Sequence, residues 1–295
     1  MKKTYLILEN NETIYYLDEG NKEKEVLVLI HGNQSSGIHH MPLIERLKND
    51  YHLIVPDLRG FGDSSYNVAV NSLEDFSTDV ISLLDDLDIH EYSVLGWSTG
   101  GGVALKMAAL RPDEVKNVIL VESCSYRGYP IFKKDENGAP LMGQYYLSKE
   151  EMALDPIQVA PLKLFFDTQN KVVLKSIWDQ AIYTVNKPSP EDHDMYMNET
   201  MKQRNIIDVL WCLTTFNMSQ LTNGVTLGDG SIRKIKAPVL SIWGRNDLVV
   251  LEYMIDETCE ALVNCKKVIF ENSGHSPYID QPDQLEQEIR RFLKK

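Results

Sequence analysis

The chain has 295 residues, 43% of them hydrophobic and 25% charged, a composition that supports a sizeable buried core and excludes a disordered or collagen-like protein. A formal charge of −13 with no run of Lys and Arg argues against nucleic acid or anionic membrane surfaces as partners. No uncharged apolar stretch reaches the ~18 residues of a membrane span, and the apolar run at 5 to 8 is too short for a secretion signal, so a cytoplasmic protein without membrane insertion is expected.

In chain order, β-rich runs come first: "YLILE" (5 to 9), "TIYYLD" (13 to 18) and "VLVLIH" (26 to 31). The last is an unbroken apolar stretch of the kind that a central strand buries on both faces. "YHLIVPD" (51 to 57) follows as a strand. Phe76, Val80, Leu83, Leu84 and Leu87 then recur at helical spacing behind Ser72, which is placed to cap the helix. The strand "YSVLGW" (92 to 97), a helix in "GGVALKMAALR" (101 to 111) stopped by Pro112, and the strand "VKNVILVE" (115 to 122) continue the alternation.

From 123 to 236 that pattern lapses into helix-compatible sequence rich in aromatic residues and methionine, broken at "NKPSPEDHD" and "NGVTLGDGS", with no strong strand. It resumes with the strand "APVLSIWG" (237 to 244), a helix around Met254 to Leu262, the strand "KKVIFE" (266 to 271) and a final helix with Leu285, Ile289 and Phe292 on one face. Alternating strands and helices predict an α/β fold with a mostly parallel sheet flanked by helices. Residues 1–122 and 237–295 would form its core, and 123–236 an insertion between two late strands. Cys124, Cys212, Cys259 and Cys265 form no CxxC pair and stand beside no histidine at ligand spacing. Four free thiols are therefore expected, with no metal and no other cofactor.

One short stretch carries the chemistry. In "LGWSTGGGVAL" (95 to 105), Ser98 stands between a strand and a helix with Gly96 and Gly100 two residues away on either side. A serine on a sharp strand-to-helix turn projects its hydroxyl above the sheet, and its neighbours must be small for the turn to close. Gly101, Gly102 and Ala104 would let the following helix lie close to the sheet.

A serine hydroxyl needs a base, and the base an orienting acid. His275 in "ENSGHSPYIDQP" follows the last strand, and Asp247 in "WGRNDLVV" follows the strand before it, so both lie at the carboxyl edge of the sheet. Glu122, at the end of "NVILVE", is the rival acid. The donors for a tetrahedral oxyanion would be the amides of Thr99 and of Asn33 in "HGNQSSG", with Gln34 the alternative to Asn33. His31 is expected to shape that loop through the backbone, and Asp57, Arg59 and Asp63 to build a polar turn.

With "HGN", "DLRGFGDS", "GWSTGG", "GRND" and "GHSPYIDQP" in this order, the chain resembles the α/β-hydrolase superfamily over nearly its whole length. The resemblance implies an α/β-hydrolase fold in which 123–236 forms a helical cap over the site. More narrowly, "SCSYRGYPIF", "YTVNKPSP" and "KQRNIIDVLWCLTTFN" are similar to a bacterial branch described as intracellular short-chain polyhydroxyalkanoate depolymerases, serine enzymes that cut polyester bonds.

The expected activity is therefore cofactor-independent hydrolysis of a small or oligomeric carboxylic ester through an acyl-enzyme. Ser98 argues against the aspartate-nucleophile enzymes of similar layout. It leaves lactonase, thioesterase and perhydrolase chemistry open, together with a ligand-binding protein that has lost the reaction. Trp97 and Gln34 are expected to touch substrate, and Trp178, Tyr183, Met197, Trp211, Phe216 and Met218 suggest an apolar pocket, although for each one singly burial in the core of the insertion is the commoner role.

Overall fold

The computed structural model describes residues 2–294. Two antiparallel strands, β1 (Thr4–Ile7) and β2 (Thr13–Gly20), open the chain. Then come β3 (Val26–Ile30), α1 (Met41–Leu47), β4 (His52–Pro56), α2 (Leu73–Asp86), β5 (Tyr92–Trp97), α3 (Thr99–Leu110) and β6 (Val115–Val121). Alternate residues of the central strands feed two separate cores. In β3, Val28 and Ile30 pack on the face covered by α2 and α3, and Leu27 and Leu29 on the face covered by α1. Burial on both faces is why the "VLVLI" run has no polar interruption. The α2 helix starts where its cap predicts: the Ser72 hydroxyl accepts from the Asp75 amide, and the Asp75 carboxylate accepts from the Ser72 amide.

After β6 the chain leaves the sheet for a hairpin, β7 (Phe132–Lys134) and β8 (Pro140–Tyr145), and five helices: α4 (Lys149–Met152), α5 (Ala160–Asp167), α6 (Lys171–Ala181), α7 (Pro190–Thr200) and α8 (Ile206–Thr215). It returns as β9 (Val239–Gly244), α9 (Glu252–Ala261), β10 (Cys265–Phe270), α10 (Pro277–Asp280) and α11 (Pro282–Leu293). The sheet order is β1-β2-β4-β3-β5-β6-β9-β10, parallel from β4 onward. Thus β6 and β9 pair directly although residues 122–238 separate them in the chain.

Two expectations are corrected. The 123–236 segment is not wholly helical, since it contains the β7–β8 hairpin. That hairpin stands largely in solvent and closes through a turn in which the Asp135 carboxylate accepts from the Asn137 and Ala139 amides. An exposed ribbon needs no alternation of apolar residues, so the sequence pattern missed it. Nor are all four thiols free: Cys259 and Cys265 are bonded across the turn from α9 to β10, their Cα atoms 5.2 Å apart, and Cys124 and Cys212 are free and buried. The turn brings together two cysteines that match no local motif.

The segment between β6 and β9 shares both cores of the body. Cys212, Leu213, Phe216 and Met218 pack with α2 and α3, and Trp178, Tyr183, Tyr196 and Met197 pack on the opposite side of the sheet. Among the described residues no helix is long and apolar enough to cross a membrane.

Three histidines are buried between β3 and α1. The His31 ring accepts from the Leu58 amide at Nε2 (3.0 Å) and donates from Nδ1 to the Gly32 carbonyl (2.8 Å), which shapes the loop as expected. The charged turn is likewise scaffold: Asp57 accepts from the Gly37 and Asp63 amides and from Lys3, and Arg59 pairs with Asp79. Burial holds His31 down at about 4 and His40 at about 3, against 6.5 for a free histidine. The unfolded chain therefore takes up protons that the folded one refuses, and stability falls as pH drops from 6.5 toward 4. His31 alone accounts for about 3 kcal/mol of that loss. His40→Phe, which keeps a ring against Tyr278, should flatten the dependence of unfolding free energy on pH between 6.5 and about 3; an unchanged slope in denaturant titrations would count against it.

Candidate active site

Ser98 sits at the junction of β5 and α3 with φ 54° and ψ −119°, a backbone conformation that a residue with a Cβ rarely adopts. Its amide donates to the Val121 carbonyl (2.9 Å), and its carbonyl accepts from the amides of Gly101 (2.9 Å) and Cys124 (3.1 Å). A β-carbon on Gly96 would strike the Gly100 carbonyl, and one on Gly100 would strike the carbonyls of Ile30 and His31. These glycines make the tight turn possible. Gly101 meets Ser123, whereas Gly102 packs on Leu73 of α2 and on Cys124, so it serves the contact between helices rather than the approach to the sheet.

Asp247 and His275 come from the loops after β9 and β10 and meet beside this turn. His275 Nδ1 donates to Asp247 Oδ2 at 2.8 Å, while Asp247 Oδ1 accepts from the amides of Val249 (2.7 Å) and Val250 (3.0 Å). Both side chains are buried. With Nδ1 committed as a donor, Nε2 is left as an unprotonated acceptor, and the ring lines the same cavity as Ser98. Ser98 Oγ has no hydrogen-bond partner among the described residues; such contacts commonly tighten only when substrate binds.

Burial works against the charge on Asp247, yet the adjacent His275 ring holds its carboxyl below the usual range. Of the two acids weighed from sequence, then, Asp247 pairs with the imidazole and Glu122 stands behind it. Ligand atoms of Glu122, Asp247 and His275 all lie within 4.8 Å of one another. The 2.8 Å contact between Asp247 and His275 is shorter than the about 3.3 Å that separates two ligands of one tetrahedral ion, so the group is hydrogen-bonded and is not a coordination cage.

The amides of Asn33 and Thr99 donate to no other group among the described residues, and both residues line the cavity beside Ser98. Gln34 does not share that freedom. Its amide donates to Asn33 Oδ1 and to Gln203 Oε1, both at 3.0 Å, and its φ is 58°. Gln203 Nε2 in turn donates to Asn33 Oδ1 (2.8 Å) and Asn205 Oδ1 (2.9 Å), and Thr200 Oγ1 donates to the Gln34 carbonyl (2.7 Å). Sequence reasoning missed these roles for Thr200, Gln203 and Asn205. They lie inside or beside the "KQRN" run singled out for resemblance, but only the fold brings them against residues 146 to 170 positions earlier.

The cavity measures about 210 Å³. Apart from Ser98, Thr99, Asn33, Gln34 and the Tyr129 hydroxyl, which donates to the Val249 carbonyl, its walls are apolar, and His275 is their one titratable side chain besides Tyr129 among the described residues. Ile177, Trp178 and Ile182 form one wall, Leu210 and Leu213 another. Trp97 lines the cavity and also holds the histidine loop, its Nε1 donating to the His275 carbonyl at 2.9 Å. Of the other residues weighed for the pocket, Tyr183, Met197, Phe216 and Met218 are buried in the two main cores, the commoner role for each taken singly, and Trp211 packs beside a smaller core within the insertion.

The chain matches the model of the alpha/beta hydrolase fold family over residues 25–282 and belongs to that family. It is 26% identical over 292 residues to pimeloyl-[acyl-carrier protein] methyl ester esterase of Aliivibrio salmonicida, covering 96% of each chain. It is 24% identical over 298 residues to lipase 1 of Psychrobacter immobilis, covering 97% of this chain and 82% of that one. An esterase structure from Exiguobacterium antarcticum superimposes with a TM-score of 0.77 over all of both chains at 18% identity, a likeness of fold.

The arrangement predicts a reactive Ser98. A fluorophosphonate probe should label this residue, Ser98→Ala should abolish labelling, and Asp247→Asn should slow it on the order of 10³-fold by fixing the wrong imidazole tautomer. Equal labelling rates in Asp247→Asn and the wild type would show that the imidazole is not the base.

Proposed function

We propose that the protein is a serine esterase that hydrolyses neutral carboxylic esters of short acyl or hydroxyacyl groups, with 123–236 acting as its cap. The observation that carries this reading is the 2.8 Å bond from His275 to Asp247, which leaves a basic ring nitrogen on the wall of the cavity that contains Ser98. In the proposed reaction Ser98 Oγ attacks the ester carbonyl while His275 Nε2 takes its proton. The oxyanion is met by the Asn33 and Thr99 amides, the second at the positive end of α3. The tetrahedral intermediate collapses, the alcohol leaves with the proton from His275, and a water activated by the same nitrogen releases the acid.

Substrate size and charge follow from the walls. A cavity of about 210 Å³ falls below the 300 Å³ or more typical of sites for larger ligands, which favours short acyl groups. An apolar lining with no lysine or arginine offers nothing to a phosphate or to coenzyme A. The esterase and lipase names of the curated relatives support the bond type. Oligomers of polyhydroxyalkanoates belong to the same class of short hydroxyacyl esters, and we include them on the strength of the resemblance in the insertion. The reading keeps a cytoplasmic location. Reduction of Cys259–Cys265 there would leave the turn held by backbone bonds from Leu262 to Cys259 and from Val239 to Asn264.

A panel of short p-nitrophenyl esters, hydroxyacid oligomers and acyl-coenzyme A thioesters tests the proposal. The wild type should turn over the simple esters and Ser98→Ala should not; activity retained in that variant would eliminate the mechanism. An acyl-coenzyme A thioester turned over faster than its matched simple ester would contradict the substrate class.

A further inference from the structure

Glu122 has no part in the mechanism above, yet it is built into the site. It follows β6 at the carboxyl edge of the sheet with φ 46°, a left-handed conformation that disfavours any residue with a Cβ. Its side chain is fully buried. Oε1 accepts from the Gly244 amide at 2.7 Å, while Oε2 is buried with no donor from the protein. The groups facing it are Asp247 from the loop after β9, His275 from the loop after β10, and Tyr278 and Asp280 from α10. No lysine or arginine pairs with it among the described residues.

Two buried carboxylates so close together cannot both keep their charge without a cation. Asp247 has the imidazole and two amide donors to support its charge, and Glu122 has one amide and an unpartnered oxygen. The proton therefore resides on Glu122. Burial first and the Asp247 charge second push its carboxyl well above the ordinary range, in agreement with that assignment.

We infer that Glu122 is a positioning residue: its carboxyl stays protonated, donates a hydrogen bond from Oε2 to Asp247, and so fixes the carboxylate that orients His275. The inference rests on the reading of Ser98, Asp247 and His275 as the ester-cleaving group. A neutral donor at this position satisfies the last lone pair of Asp247 without adding a second negative charge, so the carboxylate neither rotates away from the ring nor recruits water. The strained backbone of Glu122 aims the side chain at this one spot.

The arrangement makes an unusual demand on substitution. Glu122→Gln keeps both contacts, with its oxygen accepting from Gly244 and its amide nitrogen donating to Asp247. This variant should retain kcat within about threefold, with an unchanged pH profile. Glu122→Leu keeps the bulk and removes both contacts. Its kcat should fall roughly 30-fold or more, and the acid arm of its kcat/KM profile should move to higher pH, because a carboxylate with one donor fewer attracts the imidazole proton more strongly.

Infrared spectra of resting protein supply a readout independent of turnover: a protonated-carboxyl stretching band at neutral pH in the wild type, absent from Glu122→Gln. Loss of activity in Glu122→Gln as severe as in Glu122→Leu, or no such band, would overturn the inference, as would a folded Glu122→Leu with unaltered kcat and pH profile. A wild type inactive on every ester but showing the band would instead sink the functional proposal and leave the protonated Glu122 standing.

Discussion

The backbone of Ser98 is the constraint around which the rest of the molecule is arranged. A non-glycine residue with φ near 54° costs on the order of 1–3 kcal/mol and persists only where its surroundings allow nothing else. Here the Val121 carbonyl on one side and the Gly101 and Cys124 amides on the other satisfy its peptide groups, and side chains are absent where the turn would otherwise clash. Because β3, β5, β6, β9 and β10 are successive parallel neighbours, the residues just past their ends fall side by side along one rim. Asn33, Ser98, Glu122, Asp247 and His275 are five such residues. The sheet thus brings together groups up to about 240 positions apart without any loop having to cross it.

Much of this could be read from sequence, for identifiable reasons. Central strands bury both faces, so β3 leaves an unbroken apolar run, β5 and β9 runs interrupted by a single serine each and β6 an apolar end at 118–121, and the Ser72 box marks the start of α2. The glycines around Ser98 are visible because a clash with backbone leaves no other residue type. What escaped lacks a local signature. The β7–β8 ribbon faces water and needs no alternation, and the bonded cysteines meet only because α9 and β10 are joined by a tight turn. The order of the chain favours Asp247 over Glu122 as the acid, but each follows a strand at the correct edge, and it is their placement that shows Asp247 facing the imidazole.

The insertion illustrates the same limit. Its wall residues at Ile177, Trp178 and Leu213 belong to helical segments whose apolar faces also serve the cores, so spacing alone does not distinguish a residue facing the cavity from one facing the interior. Tyr183 and Met197 are apolar enough for either place, and they fill the core, the commoner role for such residues taken singly. Gln203 is polar, unremarkable in its neighbourhood and decisive in its contacts, since it bridges Asn33, Gln34 and Asn205.

That bridge has an evolutionary corollary. One short stretch, Thr200 to Asn205, both closes the insertion onto the body and braces the loop carrying the Asn33 amide. With the insertion as the proposed cap and Asn33 as a proposed oxyanion donor, selectivity and turnover would be inherited as a package, and wholesale exchange of the insertion with a distant cousin would disturb the proposed reaction as well as the choice of reactant. Diversification has a freer route through the α6 and α8 walls, whose side chains can be resized while the brace stays intact.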